Sequence, residues 1–224
     1  MNTNLTELLD NGHQVKIIVN ATQYELAKDN RFLIPFMVYE HNEIRFGFAD
    51  KDGNIVIPAK YDKVFDDFHN SDDLVRVGKR FVIDYGTEAT PHQYKFFYCG
   101  LINSNGEELI PCNKYWELYF ADDRKDLLVA KGTLCDKVGW SLIDTFGNVI
   151  IPRGKYTYID LFYNGMARVQ LCKRDDDGRV VELNGLINKK GEEIAPLGTG
   201  PCSFGWFRNK ALLERYTRMY KDFL

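Results

Sequence analysis

An all-β repeat fold is expected from three features of the sequence. Four segments of the chain align with one another without gaps. Short apolar runs are broken roughly every 6 to 12 residues by Gly, Asn or Asp, the mark of strands joined by tight turns. Aromatic residues make up 14% of the chain and 18 glycines punctuate it, which suits pleated surfaces and turns better than helical stripes.

The aligned segments are Gly47-Phe-Ala-Asp-Lys-Asp-Gly53-Asn-Ile-Val-Ile-Pro58, Gly100-Leu-Ile-Asn-Ser-Asn-Gly106-Glu-Glu-Leu-Ile-Pro111, Ser141-Leu-Ile-Asp-Thr-Phe-Gly147-Asn-Val-Ile-Ile-Pro152 and Gly185-Leu-Ile-Asn-Lys-Lys-Gly191-Glu-Glu-Ile-Ala-Pro196. Each has a small residue six before a central glycine and a proline five after it. The chemistry is that of a hairpin. An apolar run ends at Asp50, Asn103, Asp144 or Asn188, whose side chain can bond its own backbone two residues on. The turn glycines Gly53, Gly106, Gly147 and Gly191 can take positive φ without a Cβ clash. The proline lacks the N–H a ladder needs, so it is expected to end the second strand.

Each repeat extends further. Tyr61, Tyr115 and Tyr156 follow the proline, with Val64, Leu118 and Ile159 three residues later. Phe68, Phe120 and Phe162 come next, then a polar tip and another apolar strand at 74–77, 127–130 and 166–169. The fourth copy keeps part of this in Phe204, Phe207 and Asn209.

This pattern resembles the WG-repeat family, also called KWG repeats, which are bacterial tandem β-repeats named for an aromatic-Gly pair. Trp140-Ser141 and Phe46-Gly47 stand at that pair, while Cys99-Gly100 and Asn184-Gly185 depart from it. The resemblance covers residues 31–209. It implies a repeat scaffold without a defined biochemical role and carries no catalytic motif to transfer.

The expected architecture is therefore a tandem array of four antiparallel repeats over 31–209, as an open curved stack, with a propeller-like closure as the alternative. Residues 1–30 are read as an N-terminal cap, a hairpin of 15–19 against 23–26, and 32–39 as the strand before the first repeat. Leu212, Tyr216, Met219, Tyr220 and Phe223 recur on one helical face, so 210–224 are read as a C-terminal capping helix, with a strand over 211–215, by register with the third repeat, as the alternative. The whole is expected to form one structural domain. The surplus between the first two glycines, residues 80–95, reads as an extended hairpin or surface loop.

Composition narrows the function classes. A formal net charge of −3 offers no basic face for nucleic acid. No apolar run is long enough to span a membrane. Residues 1–10 are polar and show no secretory leader. The five cysteines are scattered without a C-x-x-C, so a reduced, cytoplasmic setting with buried structural thiols is expected. Asp50-Lys-Asp-Gly53-Asn54 begins like a calcium loop, but apolar residues follow where a further acidic ligand is needed, so it reads as a turn. The tip 175–178 reads the same way. The four histidines stand alone, and no nucleophile or phosphate-loop motif occurs. No metal and no cofactor is expected.

Two features point to binding. Asp66, Asp67, Asp72 and Asp73 match Asp122, Asp123 and Asp126 at equivalent tips and suggest an acidic rim that attracts a basic partner, beside the plainer reading of solvated turns. The place after the repeat tyrosine holds Asp62, Trp116 or Thr157, which suggests a wet position and makes Trp116 an exposed aromatic; Tyr158 reads the same way. The expected function is a non-enzymatic module binding another protein through a repeat rim, with a small-molecule or glycan ligand left open. The alternatives are a glycoside-hydrolase-like enzyme using paired carboxylates, and an immunity or effector-associated protein.

Overall fold

The computed structural model describes residues 14–17, 33–40, 43–50, 52–65, 74–87, 90–122, 126–132, 139–201, 208–219 and 221. Its strands are antiparallel, as the repeat pattern requires. The chain separates into two compact units, residues 1–116 and 117–224, each holding two of the four turn hairpins. Among the described residues no helix is long and apolar enough to cross a membrane.

In the first unit, β1 (Gln14–Ile17), β2 (Ile34–Glu40), β3 (Glu43–Ala49) and β4 (Ile55–Tyr61) pair in chain order. β1 thus pairs with β2; the second arm expected for the N-terminal hairpin lies outside the described residues. The short β5 (Lys63–Val64) pairs with β6 (Leu74–Thr87), β6 with β7 (Thr90–Asn103), and β7 with β8 (Glu108–Phe120). The surplus segment is the far end of the β6–β7 hairpin, which stays in register from Leu74↔Asn103 to Thr87↔Thr90.

In the second unit, β9 (Leu127–Gly132), β10 (Trp140–Asp144) and β11 (Val149–Tyr156) repeat the same meander. A four-stranded sheet follows, in the order β12 (Tyr158–Ile159), β13 (Met166–Arg174), β14 (Val180–Asn188) and β15 (Glu193–Ala195). The single described helix, α1 (Lys210–Met219), lies where the 3.6-residue periodicity put it.

Every repeat turn is built alike. Asp50 Oδ1 accepts from the N–H groups of Asp52 and Asn54, and Gly53 N–H donates to the Asp50 carbonyl. Asn103, Asp144 and Asn188 do the same in their turns. Gly53, Gly106, Gly147 and Gly191 take φ between 79° and 86°. A second bond closes each turn through side chains. Where the first residue is Asp, the residue four on is an Asn that donates to it, as in Asp50–Asn54 and Asp144–Asn148. Where the first is Asn, it donates to a Glu, as in Asn103–Glu107 and Asn188–Glu192. The tip at Asp175 is a fifth turn of this kind, with Asp177 and Arg179 N–H groups on Asp175 Oδ1.

The proline does not end the second strand in the first three repeats. Pro58, Pro111 and Pro152 lie inside β4, β8 and β11. Phe46 pairs with Tyr61 and Phe48 with Ile57, so four steps on β4 answer two on β3. That bulge releases the proline from the ladder, so its missing N–H leaves no gap. The small residue of the aromatic-Gly pair faces the bulge: a Cβ on Gly47 would meet the Ile57 carbonyl oxygen at 2.6 Å, and one on Gly100 the Ile110 oxygen at 2.6 Å. Only in the fourth repeat does the strand stop before Pro196.

The bulge also delivers the following tyrosine to the next repeat. Tyr61 and Tyr156 are buried, and their hydroxyls donate to Glu108 and Glu193 at 2.7 Å each. Lys60 and Lys155 sit beside the same carboxylates, at 2.8 and 3.6 Å. Burial first, then the bond to the carboxylate, pushes both tyrosine hydroxyls up in pKa. Burial works to raise Glu108, but the hydrogen bonds from Lys60 and Tyr61 outweigh it and hold its carboxyl below the usual value.

The turn itself docks on the preceding repeat. A Cβ on Gly106 would lie 2.8 Å from Ile57 Cγ1, and one on Gly191 would lie 2.9 Å from Ile151 Cγ1. In each unit one turn rests on the ridge 56–57 or 150–151 of its neighbour. The cores lie below: Phe48, Ile57, Val75, Val77 and Ile102 in the first unit, Leu142, Ile151, Ile159, Val169 and Ile187 in the second.

Gly53→Ala and Gly106→Ala both strain a positive φ, at about 1 kcal/mol. Only Gly106 adds a collision with Ile57, so its variant should be less stable than the Gly53 variant by about 1 kcal/mol or more in urea titration. Equal losses would remove the docking contact. The stability from Glu108 is complete above about pH 5 and falls as pH descends through its depressed value. Thermal melts of Glu108→Gln should therefore lose less stability between about pH 5 and pH 3 than those of the parent chain; parallel curves would contradict the seam.

Candidate functional site

The place after the repeat tyrosine is structural, not wet. Asp62 Oδ2 accepts the Arg80 N–H at 2.7 Å, and Thr157 Oγ1 accepts the equivalent Cys172 N–H at 2.9 Å. The Asp62 side chain is only 5% exposed and pairs with Arg45 at 2.6 Å. Asp and Thr alternate here because both put an acceptor oxygen at the same reach, a requirement a solvent-facing site does not have.

Trp116 stands there in the second repeat and packs half-buried, its ring 5.9 Å from Phe96. Phe96 continues to Phe81 at 5.5 Å, and Phe81 stacks on Tyr98 at 4.1 Å. These rings line the root of the long β6–β7 hairpin. Trp116 is thus part of an internal ladder that stiffens the hairpin, and not a freely exposed anchor. Its carbonyl accepts from Cys99 Sγ at 3.2 Å. Burial pushes the Cys112 thiol up to about 12, which keeps it protonated and unreactive. Cys99 and Cys112 are buried and Cys172 partly so; the other two cysteines lie outside the described residues.

The acidic tips divide. Asp66, Asp67, Asp72, Asp73 and Asp123 lie outside the described residues. Asp122 does not face solvent: its side chain is 6% exposed and forms an ion pair with Lys189. Asp126 reaches the same ammonium at 3.7 Å and is mostly exposed. Asp122 therefore ties the second repeat's tip to the turn of the fourth, and its charge is spent inside the unit. Burial lowers the Lys189 pKa, the mark of an ammonium that depends on its partners.

Tyr158 belongs to a second aromatic group. Its ring meets Trp140 edge-on at 5.4 Å and 79°, and Tyr119 lies 6.2 Å from Trp140 on the other side. Three strands deliver these rings: β8, β10 and β12. On this face Leu142 follows Trp140 by two residues, so the aromatic trio stands at the upper margin of the second unit's core. Trp140 is partly buried against that core, while Tyr119 is 44% exposed. Lys131, directly opposite Trp140 in the β9–β10 ladder, places its ammonium 5.5 Å from the Trp140 ring and 3.1 Å from Glu117.

A buried polar pair supports the trio from below. Asp160 and Arg168 are both about 4% exposed and lie 3.6 Å apart. Arg168 also donates to Asn184 at 3.1 Å and places its guanidinium 5.9 Å from the Tyr158 ring. Burial raises the Asp160 pKa, with Arg168 opposing it only in part. Burial, then the Asp160 charge, pushes the Tyr158 hydroxyl up as well. The Asn184 carbonyl accepts the N–H groups of Gly198 and Gly200.

The rim thus offers an aromatic surface of three rings, fixed by three strands, with one carboxylate and one ammonium set at its edge. Of the residues expected from sequence, it includes Tyr158 and leaves out Trp116 and Asp122. Tyr119, Trp140, Lys131 and Glu117 were not singled out for binding. The signal for them was register: Glu117, Lys131 and Trp140 become neighbours only when β8, β9 and β10 pair.

Comparison with known families locates two of the repeats. The family described as WG containing repeat matches residues 46–80 and 140–171, which begin at Phe46-Gly47 and Trp140-Ser141. No curated protein matches the chain.

Asp122→Asn leaves Lys189 without its closest counter-charge. The variant should lose about 1–3 kcal/mol in denaturant titration, and Lys189→Met added to it should recover part of the loss. A fully stable Asp122→Asn variant would return that carboxylate to the solvent-facing role.

Proposed function

Because two stretches of the chain match the WG containing repeat, we propose that it is a binding module that holds another protein at the aromatic rim of its second unit. The observation that carries this reading is the gathering of Tyr119, Trp140 and Tyr158 from three strands into one partly exposed group. Large, stiff side chains that combine apolar faces with a polar end dominate the energy of protein contacts. Here they are held in place before a partner arrives, which lowers the ordering cost of binding. Lys131 and Glu117 add one charge of each sign beside the rings, so a partner's polar groups meet fixed complements while its apolar side chains cover the rings.

The repeat scaffold supports this use. Strand pairing fixes the positions of the rim residues, and the core below leaves them little freedom. The rim needs no reactive group, and none of its side chains has to change protonation to act.

The test is capture from the native cell followed by affinity measurement with the purified partner. Tyr119→Ala and Tyr158→Ala should each weaken binding about tenfold or more, which is about 1.4 kcal/mol. Tyr119 is exposed, so its variant should keep its stability to within about 0.5 kcal/mol. Unchanged affinity in both variants would place the contact elsewhere.

A further inference from the structure

The repeats join by one recurring contact, and the two ends of the array carry its two halves. Within each unit a turn glycine sits on the neighbour's ridge, Gly106 on 56–57 and Gly191 on 150–151. The equivalent ridge of the fourth repeat is Ile194-Ala195. Both are buried, and Leu213 and Tyr216 of α1 pack against the cluster they form with Met166 and Leu186. The helix therefore occupies the ridge on which a further turn would rest. Asn164 Nδ2 donates to Thr217 Oγ1 at 3.4 Å, a thin polar tie for the same helix. Most other described residues of α1 face solvent.

The turn of the first repeat has no ridge against it among the described residues. A Cβ on Gly53 would meet nothing within 4 Å among the described residues, although the turn has the same backbone and the same Asx bonds as Gly106. Ile55 beside it is 47% exposed and Val56 37% exposed.

The chemistry of the two ends also matches. Where repeats join inside a unit, a tyrosine of one donates to a glutamate of the next. The first repeat has Ile55 at the glutamate place, and the fourth has no Lys-Tyr after Pro196. The tyrosine–glutamate half of the seam is thus missing from both sides together.

We propose that α1 is a releasable cap over a self-association site, and that the occupant it excludes is the Asp50–Asn54 turn of a second copy of this chain. The contact is head to tail, so each copy that docks presents a free end to the next, and assembly is open-ended unless its rotation closes a ring. Capping elements of this kind keep repeat arrays discrete. The proposal is independent of the partner reading above, since it involves neither Tyr119 nor Tyr158.

The experiment is sedimentation velocity on the full chain over a concentration series. Leu213→Asp with Tyr216→Asp removes the helix's two described apolar contacts with the ridge. Its weight-average mass should rise at least twofold with concentration, while the parent chain stays a monomer. Adding Gly53→Asn should restore the monomer, because Asn tolerates positive φ and so keeps the turn, yet puts a side chain where the ridge must approach. If the double variant fails to fold by circular dichroism, Leu213→Ser alone takes its place. A monomer with the helix released, association that ignores Gly53→Asn, or a parent chain that already associates to the same extent would each overturn the proposal.

Discussion

The structure depends on one small device, the hydrogen-bonded turn around a left-handed glycine. Its Asx oxygen holds two N–H groups that no strand partner could reach, so the hairpin closes with its backbone donors satisfied. The same glycine leaves the outer surface of the turn bare, and the neighbouring ridge comes close enough to touch it. Local geometry and the join between repeats are therefore set by the same residue. A side chain at Gly106 disturbs both together, which is why the turn matters more than its four or five residues suggest.

The bulge is the second constraint. It lets proline sit inside a strand, brings the strand's carbonyl close against Gly47 and Gly100 opposite, and aims the tyrosine at the next repeat. The Tyr–Glu bond is charge-assisted and its tyrosine is buried, so it is worth more than a bond between two exposed neutral groups of the same length. Lys60 helps hold the Glu108 carboxyl below its usual value, and Lys155 stands 3.6 Å from Glu193.

Much of this was legible from the chain. Asp or Asn three residues before glycine, between two apolar runs, dictated the turns; the surplus near residue 85 dictated the long hairpin; the spacing of Leu212, Tyr216 and Met219 dictated the helix. Proline was misread because its missing N–H argues against a ladder, and nothing in sequence marks the bulge that removes the ladder at that point. Asp62 and Thr157 were misread because polarity suggests water, whereas the shared feature was an acceptor for one backbone N–H. Asp122 looked like part of an acidic rim because Lys189 is 67 residues away in the chain. The aromatic rim was half visible: Tyr158 emerged from comparing repeats, but Tyr119 and Lys131 become relevant only once three strands are in register.

The exchange of donor and acceptor in the turns has a consequence for how the chain is assembled. Asp–Asn closes the first and third turns, and Asn–Glu the second and fourth. The residue after that Glu is the one that receives the neighbour's tyrosine, so only the even repeats can accept it. A single repeat is thus not self-sufficient, and two neighbours are not interchangeable. The chemical period of the array is a pair of repeats, and the two compact units each contain one such pair. Lengthening or shortening this scaffold by one repeat would put an isoleucine or valine where a tyrosine needs a carboxylate. Changing it by two would leave every seam intact.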